Sequence, residues 1–245
     1  MKKVLYTEEP LNKNAIKKAI GKALEQVLES AELKTIVFLF PSLSVADDAL
    51  LELLPPLTRG SRSLHCDEPS CGILVKTIKN YDPSYPHVLI PAFVSEKELV
   101  KFEDEWNARI WVVVPDSYVN LEPWLKVHSA ENIDTGQSLL WEATLDERVI
   151  NAIEWLWATS FPNEGFCHPL DMNRLKSMAN ALASKNVPLD YYSVLHYCIN
   201  HKINHDGGRK IAEHFVNAQN RKYKTDGNYT LSFMTEMMNT KHKRI

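Results

Sequence analysis

The chain of 245 residues has 44% hydrophobic and 24% charged residues and a formal net charge of -3 at pH 7. This composition is typical of a globular protein and excludes collagen-like, rod-like coiled-coil and disordered chains. Glycine is scarce, at 8 residues, so there is little material for glycine-rich loops that bind phosphates. The length predicts one large domain or two smaller ones.

In the first half of the chain the hydrophobic pattern alternates between two types. Continuous β-branched and aromatic runs are typical of parallel strands buried on both faces, and apolar residues at every third or fourth position are typical of helices that cover a sheet. The pairs Ser44 with Asp47 and Ser95 with Glu98 have the spacing of a capping box, so a helix is predicted after each serine. The predicted strands are 34–40, 62–66, 87–90, 110–114 and 124–128, and the predicted helices are 12–31, 44–54, 69–79 and 95–106.

After Asp134-Thr135-Gly136 the apolar period becomes helical and stays helical to the end of the chain. The predicted helices of this part are 144–157, 171–184, 188–199, 209–224 and 231–238. We therefore predict an α/β domain over 1–136, with a mostly parallel sheet of Rossmann-like or flavodoxin-like type, and an all-helical domain over 137–245.

The N-terminal segment and the apolar runs indicate where the protein resides. Glu8, Glu9 and Pro10 interrupt the apolar stretch that a secretory signal requires. The longest apolar runs are far shorter than the roughly 18 residues that a membrane span needs. Four cysteines without a Cys-x-x-Cys pair are too few for a disulfide scaffold of this size. We expect a cytoplasmic protein with reduced thiols and no membrane partner.

Polar residues follow three of the predicted strands. In open parallel sheets, ligands bind in the crevice at the carboxyl ends of the strands, and helix N-termini there favour anions. A polar crevice for a small anion is therefore predicted from the residues Ser42, Ser44, Ser95, Asp116 and Ser117. The alternative is that Ser44 and Ser95 are simply the caps that their helices need.

The usual signatures of nucleotide and hydrolase sites are missing from the sequence. It contains no Gly-x-x-x-x-Gly-Lys-Ser/Thr, no Gly-x-Gly-x-x-Gly and no Gly-x-Ser-x-Gly. Cys198, His201 and His205 have the spacing of one helical face and are candidate zinc ligands, but Gly207 follows closely, where the helix should already have ended. We therefore predict neither a cofactor nor a bound metal.

The C-terminal part of the chain carries a charge opposite to the rest. Residues 200–245 contain nine Lys or Arg and four Asp or Glu, a net charge of +5, whereas residues 1–199 carry a net charge of -8. The predicted helix 209–224 has exposed side chains of the types that contact phosphates and base edges, namely Arg209, Lys210, Asn217, Asn220, Arg221 and Lys224. With the preceding helix it would form a pair like a helix-turn-helix, although the connection is longer than in that motif. A solvated helix face is the alternative.

These observations favour a non-catalytic binding or assembly component. In this hypothesis the α/β unit docks a protein partner or a small anion, and the basic helical unit contacts nucleic acid or an acidic protein surface. The rival hypothesis is an enzyme that acts on a small anionic or nucleotide-like substrate in the strand-end crevice. Asp116 would then be the acid or base, and Ser42 or Ser95 would bind the substrate.

Overall fold

The computed structural model describes residues 2–9, 12–57, 62–82, 84–142 and 144–242. The chain divides into two compact units, Lys2–Leu140 and Trp141–Ile245. The first unit contains a sheet and helices, and the second contains helices. No helix of the described residues is both long enough and apolar enough to cross a membrane.

The first unit is built on a seven-stranded sheet with the order β3-β4-β2-β5-β6-β1-β7. The strands are β1 Lys3–Tyr6, β2 Thr35–Phe40, β3 Ser63–Asp67, β4 Ser70–Thr77, β5 His87–Pro91, β6 Ala108–Val113 and β7 Glu131–Asn132. Neighbouring strands are parallel except for β3 and β4, which form an antiparallel hairpin. The predicted α/β class with a mostly parallel sheet is therefore confirmed.

Helices cover both faces of this sheet. They are α1 Lys13–Glu29 and α2 Leu43–Leu50 on one face, and α3 Glu96–Leu99 and α4 Tyr118–Val127 on the other. Successive residues of a strand point to opposite faces, so in β2 Phe38 lies in the core under α1 and Leu39 in the core under α4. Burial on both faces explains why the central strands are apolar at nearly every position.

The predicted helix 69–79 is wrong, because most of this segment forms β4. Cys71, Ile73 and Val75 are buried while the residues between them are partly exposed, which is the period of two that a strand requires. β4 pairs with β2 on one side and with β3 on the other. The pairing partners, which lie elsewhere in the chain, determine the strand.

The predicted strand 124–128 is also wrong, since Trp124 to Val127 form the last turn of α4. Leu121, Trp124 and Leu125 are buried on one face of this helix, at the three- and four-residue spacing of a helix. The short strand β1 was not predicted at all. It lies between β6 and β7 in the sheet, and Val4, Leu5 and Tyr6 are buried there.

The second unit contains five α-helices within the described residues. They are α5 Glu147–Thr159, α6 Pro169–Ser184, α7 Tyr191–Asn200, α8 His205–Ala218 and α9 Leu231–Met238. Gly207 lies in the first turn of α8, where a Cβ atom would come within 2.2 Å of the Pro162 carbonyl oxygen. A glycine is therefore required for this close approach of two backbone segments.

His87, at the start of β5, is a fully buried titratable group. Its Nδ1 lies 2.9 Å from the Tyr85 carbonyl oxygen and must donate to it, so Nε2 accepts from the Tyr81 hydroxyl at 2.9 Å. Burial, the largest cause, lowers the pKa of His87 below its ordinary value of 6.5. The neutral ring is therefore part of the folded core.

We predict that His87 makes the protein less stable in mild acid. Below pH 6.5 the unfolded chain binds a proton at this histidine before the folded chain does, so the free energy of unfolding falls as the pH falls. Urea unfolding between pH 7.5 and 5 should show a smaller pH dependence for His87→Asn than for the wild type. His65→Asn, at an exposed position, should retain the wild-type pH dependence. Equal dependence in all three proteins would contradict the prediction.

Candidate nucleic-acid interface

The serines of the predicted strand-end crevice act mainly as helix caps. Ser42, rather than Ser44, is the N-cap of α2, and its Oγ accepts a hydrogen bond from Val45 N at 3.3 Å. The Ser44 Oγ lies 2.9 Å from the Ser42 Oγ. Ser95 forms the predicted capping box with Glu98, whose Oε2 accepts from the Ser95 backbone N–H at 2.9 Å.

Asp116 and Ser117 follow β6 at the same edge of the sheet. Asp116 is exposed, and Ser117 occupies the N-cap position of α4 without a side-chain hydrogen bond to the helix. The loops after β5 and β6 are joined, because Phe93 N–H donates to the Val114 carbonyl at 2.9 Å. A ligand in this crevice, and the enzymatic alternative with it, stays a prediction.

The two cations in the first turns of α8, Arg209 and Lys210, form hydrogen bonds within the helical unit. The expectation that Arg209 is exposed is wrong, because this residue is only 9% exposed and donates to the Tyr191 hydroxyl at 2.9 Å. Lys210 donates through Nζ to the Gly165 carbonyl at 2.8 Å and to Asp206 at 3.0 Å. These two cations therefore stabilise the helical unit. Arg209, the first of the residues that we predicted to contact nucleic acid from α8, does not lie on an exposed face.

The remaining predicted contact residues lie at the other end of α8 and beyond it. The helix ends at Ala218 instead of continuing to Lys224. Asn217 and Asn220 are exposed, as are Arg221 and Lys224. The residues from 220 to 230, which we call the basic segment, connect α8 to α9 and also expose Lys222. The predicted single helical face is therefore divided, and its exposed cations are concentrated on a non-helical connection.

Two asparagines of α6 hold the basic segment in place. Asn180 Oδ1 accepts from Tyr223 N at 2.9 Å, and Asn180 Nδ2 donates to the Tyr223 carbonyl at 2.9 Å. Asn173 Oδ1 accepts from Asp226 N at 3.1 Å, and its Nδ2 donates to the Asp226 carboxylate. The asparagines are seven residues apart and so lie on one face of the helix. Both ends of the Tyr223–Asp226 stretch are therefore fixed to α6.

A stack of three side chains supports the same segment from α8. The Tyr223 ring lies 5.0 Å from the His214 ring, and the Arg221 guanidinium lies 4.9 Å from the Tyr223 ring centroid. Burial, the largest cause, lowers the pKa of His214, and the nearby charges of Lys176 and Arg221 lower it further. The hydrogen bond to the Lys210 carbonyl and the charge of Glu213 raise it in part.

A cavity of about 380 Å³ lies beside this segment, between α6 and the residues that follow α8. It is lined by Ser177, Asn180, Ala183, Ser184, Ala218, Gln219, Lys222, Thr225, Tyr229 and Leu231. Ser177 is only 5% exposed, and its Oγ has no hydrogen-bond partner among the residues that the structure describes. A buried hydroxyl without a partner is unusual in a folded protein and calls for an explanation.

Sequence reasoning missed Asn173, Ser177, Asn180 and Ser184. They follow one another along α6 at intervals of four, three and four residues, which places them on one helical face. Leu175, Met178, Ala179 and Leu182 are the apolar residues of α6 that are buried. One signal in the sequence could have identified them. The small polar residues of α6 repeat at helical spacing on a face other than the apolar one, and such a repeat indicates a face that makes polar contacts within the protein.

The candidate zinc ligands are divided between two helices. α7 ends at Asn200 and α8 begins at His205, so Cys198 and His205 do not share a helical face. His201 Nδ1 lies 2.7 Å from the Tyr197 carbonyl oxygen. Within the described ranges no group of three or more His, Cys, Asp or Glu side chains is placed to hold a metal ion. That the protein binds no metal stays a prediction.

The chain matches no protein-family model, no curated protein and no solved structure. A fold alone does not determine a function. Any functional conclusion must therefore come from the side chains described above.

We predict that two arginines near the ends of α8 contribute unequally to stability. Arg209→Ala should lower the free energy of unfolding by about 2 kcal/mol, because it removes a buried charge-assisted hydrogen bond and leaves the Tyr191 hydroxyl without this donor. Arg221→Ala should lower it by no more than about 1 kcal/mol, since Arg221 is exposed and loses a cation–π contact and a long, exposed hydrogen bond to the Tyr223 hydroxyl. Urea unfolding followed by circular dichroism measures both. Equal effects would contradict the burial of Arg209.

A second prediction concerns the attachment of the basic segment. Asn180→Ala removes both hydrogen bonds to the Tyr223 backbone, so trypsin should cleave after Arg221, Lys222 or Lys224 several times faster than in the wild type. Mass spectrometry of a timed digest identifies these cuts. Asn217→Ala, at an exposed position of α8, is the matched control and should be cleaved like the wild type. Unchanged cleavage in Asn180→Ala would mean that other contacts hold the segment.

Proposed function

We propose that this protein is a non-catalytic binding component whose helical unit contacts the phosphate backbone of nucleic acid through the basic segment. The observation that carries the proposal is the exposure of Arg221, Lys222 and Lys224 on a stretch of chain that Asn173 and Asn180 fix to α6. The α/β unit is proposed to dock a protein partner or a small anion at its strand ends.

The basic segment is held in a defined position by its contacts with α6. Binding costs conformational entropy when a flexible segment must be fixed, and a segment that is already fixed avoids much of this cost. Asn173 and Asn180 form three hydrogen bonds to the backbone of Tyr223 and Asp226 and a fourth to the Asp226 carboxylate. The cations beside these residues are therefore presented from a defined position while their long side chains remain able to adapt to phosphates.

The local charge supports an anionic partner. Asp226 is the acid within the basic segment, and its carboxylate already accepts hydrogen bonds from Asn173 and Asn228. Arg221, Lys222 and Lys224 outnumber it. Exposed Asn217 and Asn220 lie just before these cations in the chain, and amide side chains are frequent donors to phosphate and sugar oxygens. The arrangement supports contacts to a backbone and does not by itself provide reading of a base sequence.

The test is the salt dependence of binding. Fluorescence anisotropy with labelled duplex and single-stranded oligonucleotides should show affinity that falls linearly with log salt concentration. The triple variant Arg221→Ala, Lys222→Ala, Lys224→Ala should bind more weakly, and its salt slope should be smaller by up to about 2 to 3, for the loss of up to three phosphate contacts.

The matched control removes three exposed lysines of the α/β unit. Lys17→Ala, Lys97→Ala and Lys101→Ala change the net charge of the protein by the same amount. This control should keep the wild-type slope, because the slope counts phosphate contacts and not total charge. If the wild type fails to bind at low salt, the proposal is wrong, and the basic segment should then be tested against an acidic protein surface.

A further inference from the structure

The cavity beside the basic segment has the size of a site for a compact ligand. Its volume of about 380 Å³ lies near the lower end of the roughly 300 to 1,000 Å³ typical of ligand pockets. Lys222 belongs both to its lining and to the basic segment. A ligand in the cavity would therefore lie next to any phosphate that this lysine contacts.

Some polar groups of the cavity lining are hydrogen-bonded within the protein, and others are still able to bind a ligand. Asn180 uses its Oδ1 and one Nδ2 hydrogen on the Tyr223 backbone, and Ser184 Oγ donates to the Ala181 carbonyl at 2.8 Å. Gln219 donates through Nε2 to the Val187 carbonyl at 3.3 Å, and within the described chain no donor is recorded to its Oε1. The Tyr229 hydroxyl accepts from Arg174 Nε at 2.9 Å, which leaves its own proton free to be donated.

Ser177 is the observation that points to a ligand. Ser177 lines the cavity, its hydroxyl oxygen is almost completely enclosed by protein atoms, and none of the described residues hydrogen-bonds to it. A buried polar group without a partner destabilises the folded protein. A small movement of the cavity wall would expose this hydroxyl, and a ligand that then accepts from and donates to it would remove the penalty.

We infer that the cavity accepts a nucleobase, and this inference rests on the proposed contact of the basic segment with a nucleic-acid backbone. The edge of a base carries hydrogen-bond donors and acceptors, which match the Ser177 hydroxyl, the Gln219 carbonyl oxygen and the Tyr229 hydroxyl. Its faces are apolar enough to lie against Ala183, Ala218 and Leu231. Lys222 is the charged residue among the described lining residues, and it would hold the phosphate of the same nucleotide.

The type of nucleic acid follows from this geometry. A base in a duplex is stacked and paired, so it reaches a cavity only after it has been extracted at an energetic cost. A single strand presents its bases without this cost. The site therefore selects single strands over duplexes. A free nucleotide offers the same chemistry, so the experiment must distinguish the two sources.

The experiment compares three probes with the full-length protein. They are a labelled single-stranded 12-mer, a strand of the same length that lacks every base, and the corresponding duplex. By fluorescence anisotropy the base-bearing strand should bind about tenfold or more tightly than the abasic strand, and more tightly than the duplex. Saturation-transfer NMR with uncharged nucleosides tests the cavity separately from the phosphate contacts.

Two variants test the cavity itself. Ser177→Ala removes the hydroxyl and should reduce the preference for bases about two- to tenfold. Ala183→Leu fills the cavity and should abolish that preference, with the salt slope of the abasic strand unchanged. Ser160→Ala is the matched control, because Ser160 is the second serine of this unit whose hydroxyl is buried without a partner among the described residues, and it is not among the lining residues. Circular dichroism verifies that each variant is folded.

The outcomes separate this inference from the proposed function. If the base-bearing and abasic strands bind equally, the base site is wrong while the backbone contact stands. A preference for bases that survives both Ala183→Leu and Ser177→Ala also overturns it. If no oligonucleotide binds but nucleosides bind to the wild type and not to Ala183→Leu, the proposed function fails and the cavity is a site for a free nucleotide. If neither oligonucleotides nor nucleosides bind, both proposals are wrong.

Discussion

The burial of a parallel sheet on both faces is the constraint that organises the α/β unit. Phe38, Leu39 and Phe40 of β2 are fully buried although they point alternately to opposite faces. A polar side chain in such a strand destabilises the fold unless it is hydrogen-bonded, so most polar groups lie at the strand ends or have partners within the core. Glu103 illustrates the second solution, because its buried carboxylate accepts from Trp124 Nε1 and lies 3.2 Å from His128 Nε2.

The same rule about buried polar groups explains the organisation around α6 in the helical unit. Asn173 and Asn180 would be costly on an inward face if the backbone of the basic segment did not satisfy them. In turn, the segment has little regular structure of its own and depends on these two side chains for its position. Ser177 lies between the asparagines on the same face and is the exception. The two asparagines are hydrogen-bonded and the serine between them is not, which is why the cavity beside Ser177 is considered as a ligand site.

The local pattern of apolar residues predicted those helices and strands whose burial is the same along their whole length. β2, β5 and β6 are buried on both faces, so their apolar runs identified them, and the capping box at Ser95 correctly marked the start of α3. β4 was predicted as a helix because its identity depends on pairing with β2, a segment about 35 residues away along the chain. Trp124 was placed in a strand because a short apolar run fits either structure when its partners are unknown.

The candidate site was predicted only in part, for a related reason. The basic residues were visible in the sequence, but their environment was not. Arg209 is hydrogen-bonded to Tyr191, which is 18 residues away, and Tyr223 is fixed by Asn180, which is 43 residues away. No local period carries this information. The polar spacing on α6 was the one local signal that could have indicated an inward polar face.

These contacts also change how the charge asymmetry of the chain should be understood. The net charge of +5 over residues 200–245 overstates the charge available to a partner, because Arg209 and Lys210 are engaged within the unit. His214 does not add to it at neutral pH, since burial lowers its pKa and its ring serves to stack on Tyr223. Among the described residues, exposed cations lie close together in the chain at Arg221, Lys222 and Lys224. In the proposed function, a cluster of this size would contact only a few phosphates, so the electrostatic part of the affinity would be modest and strongly salt-dependent. Tighter binding would then require contacts of another kind, and the proposed base site in the cavity beside Lys222 would supply them.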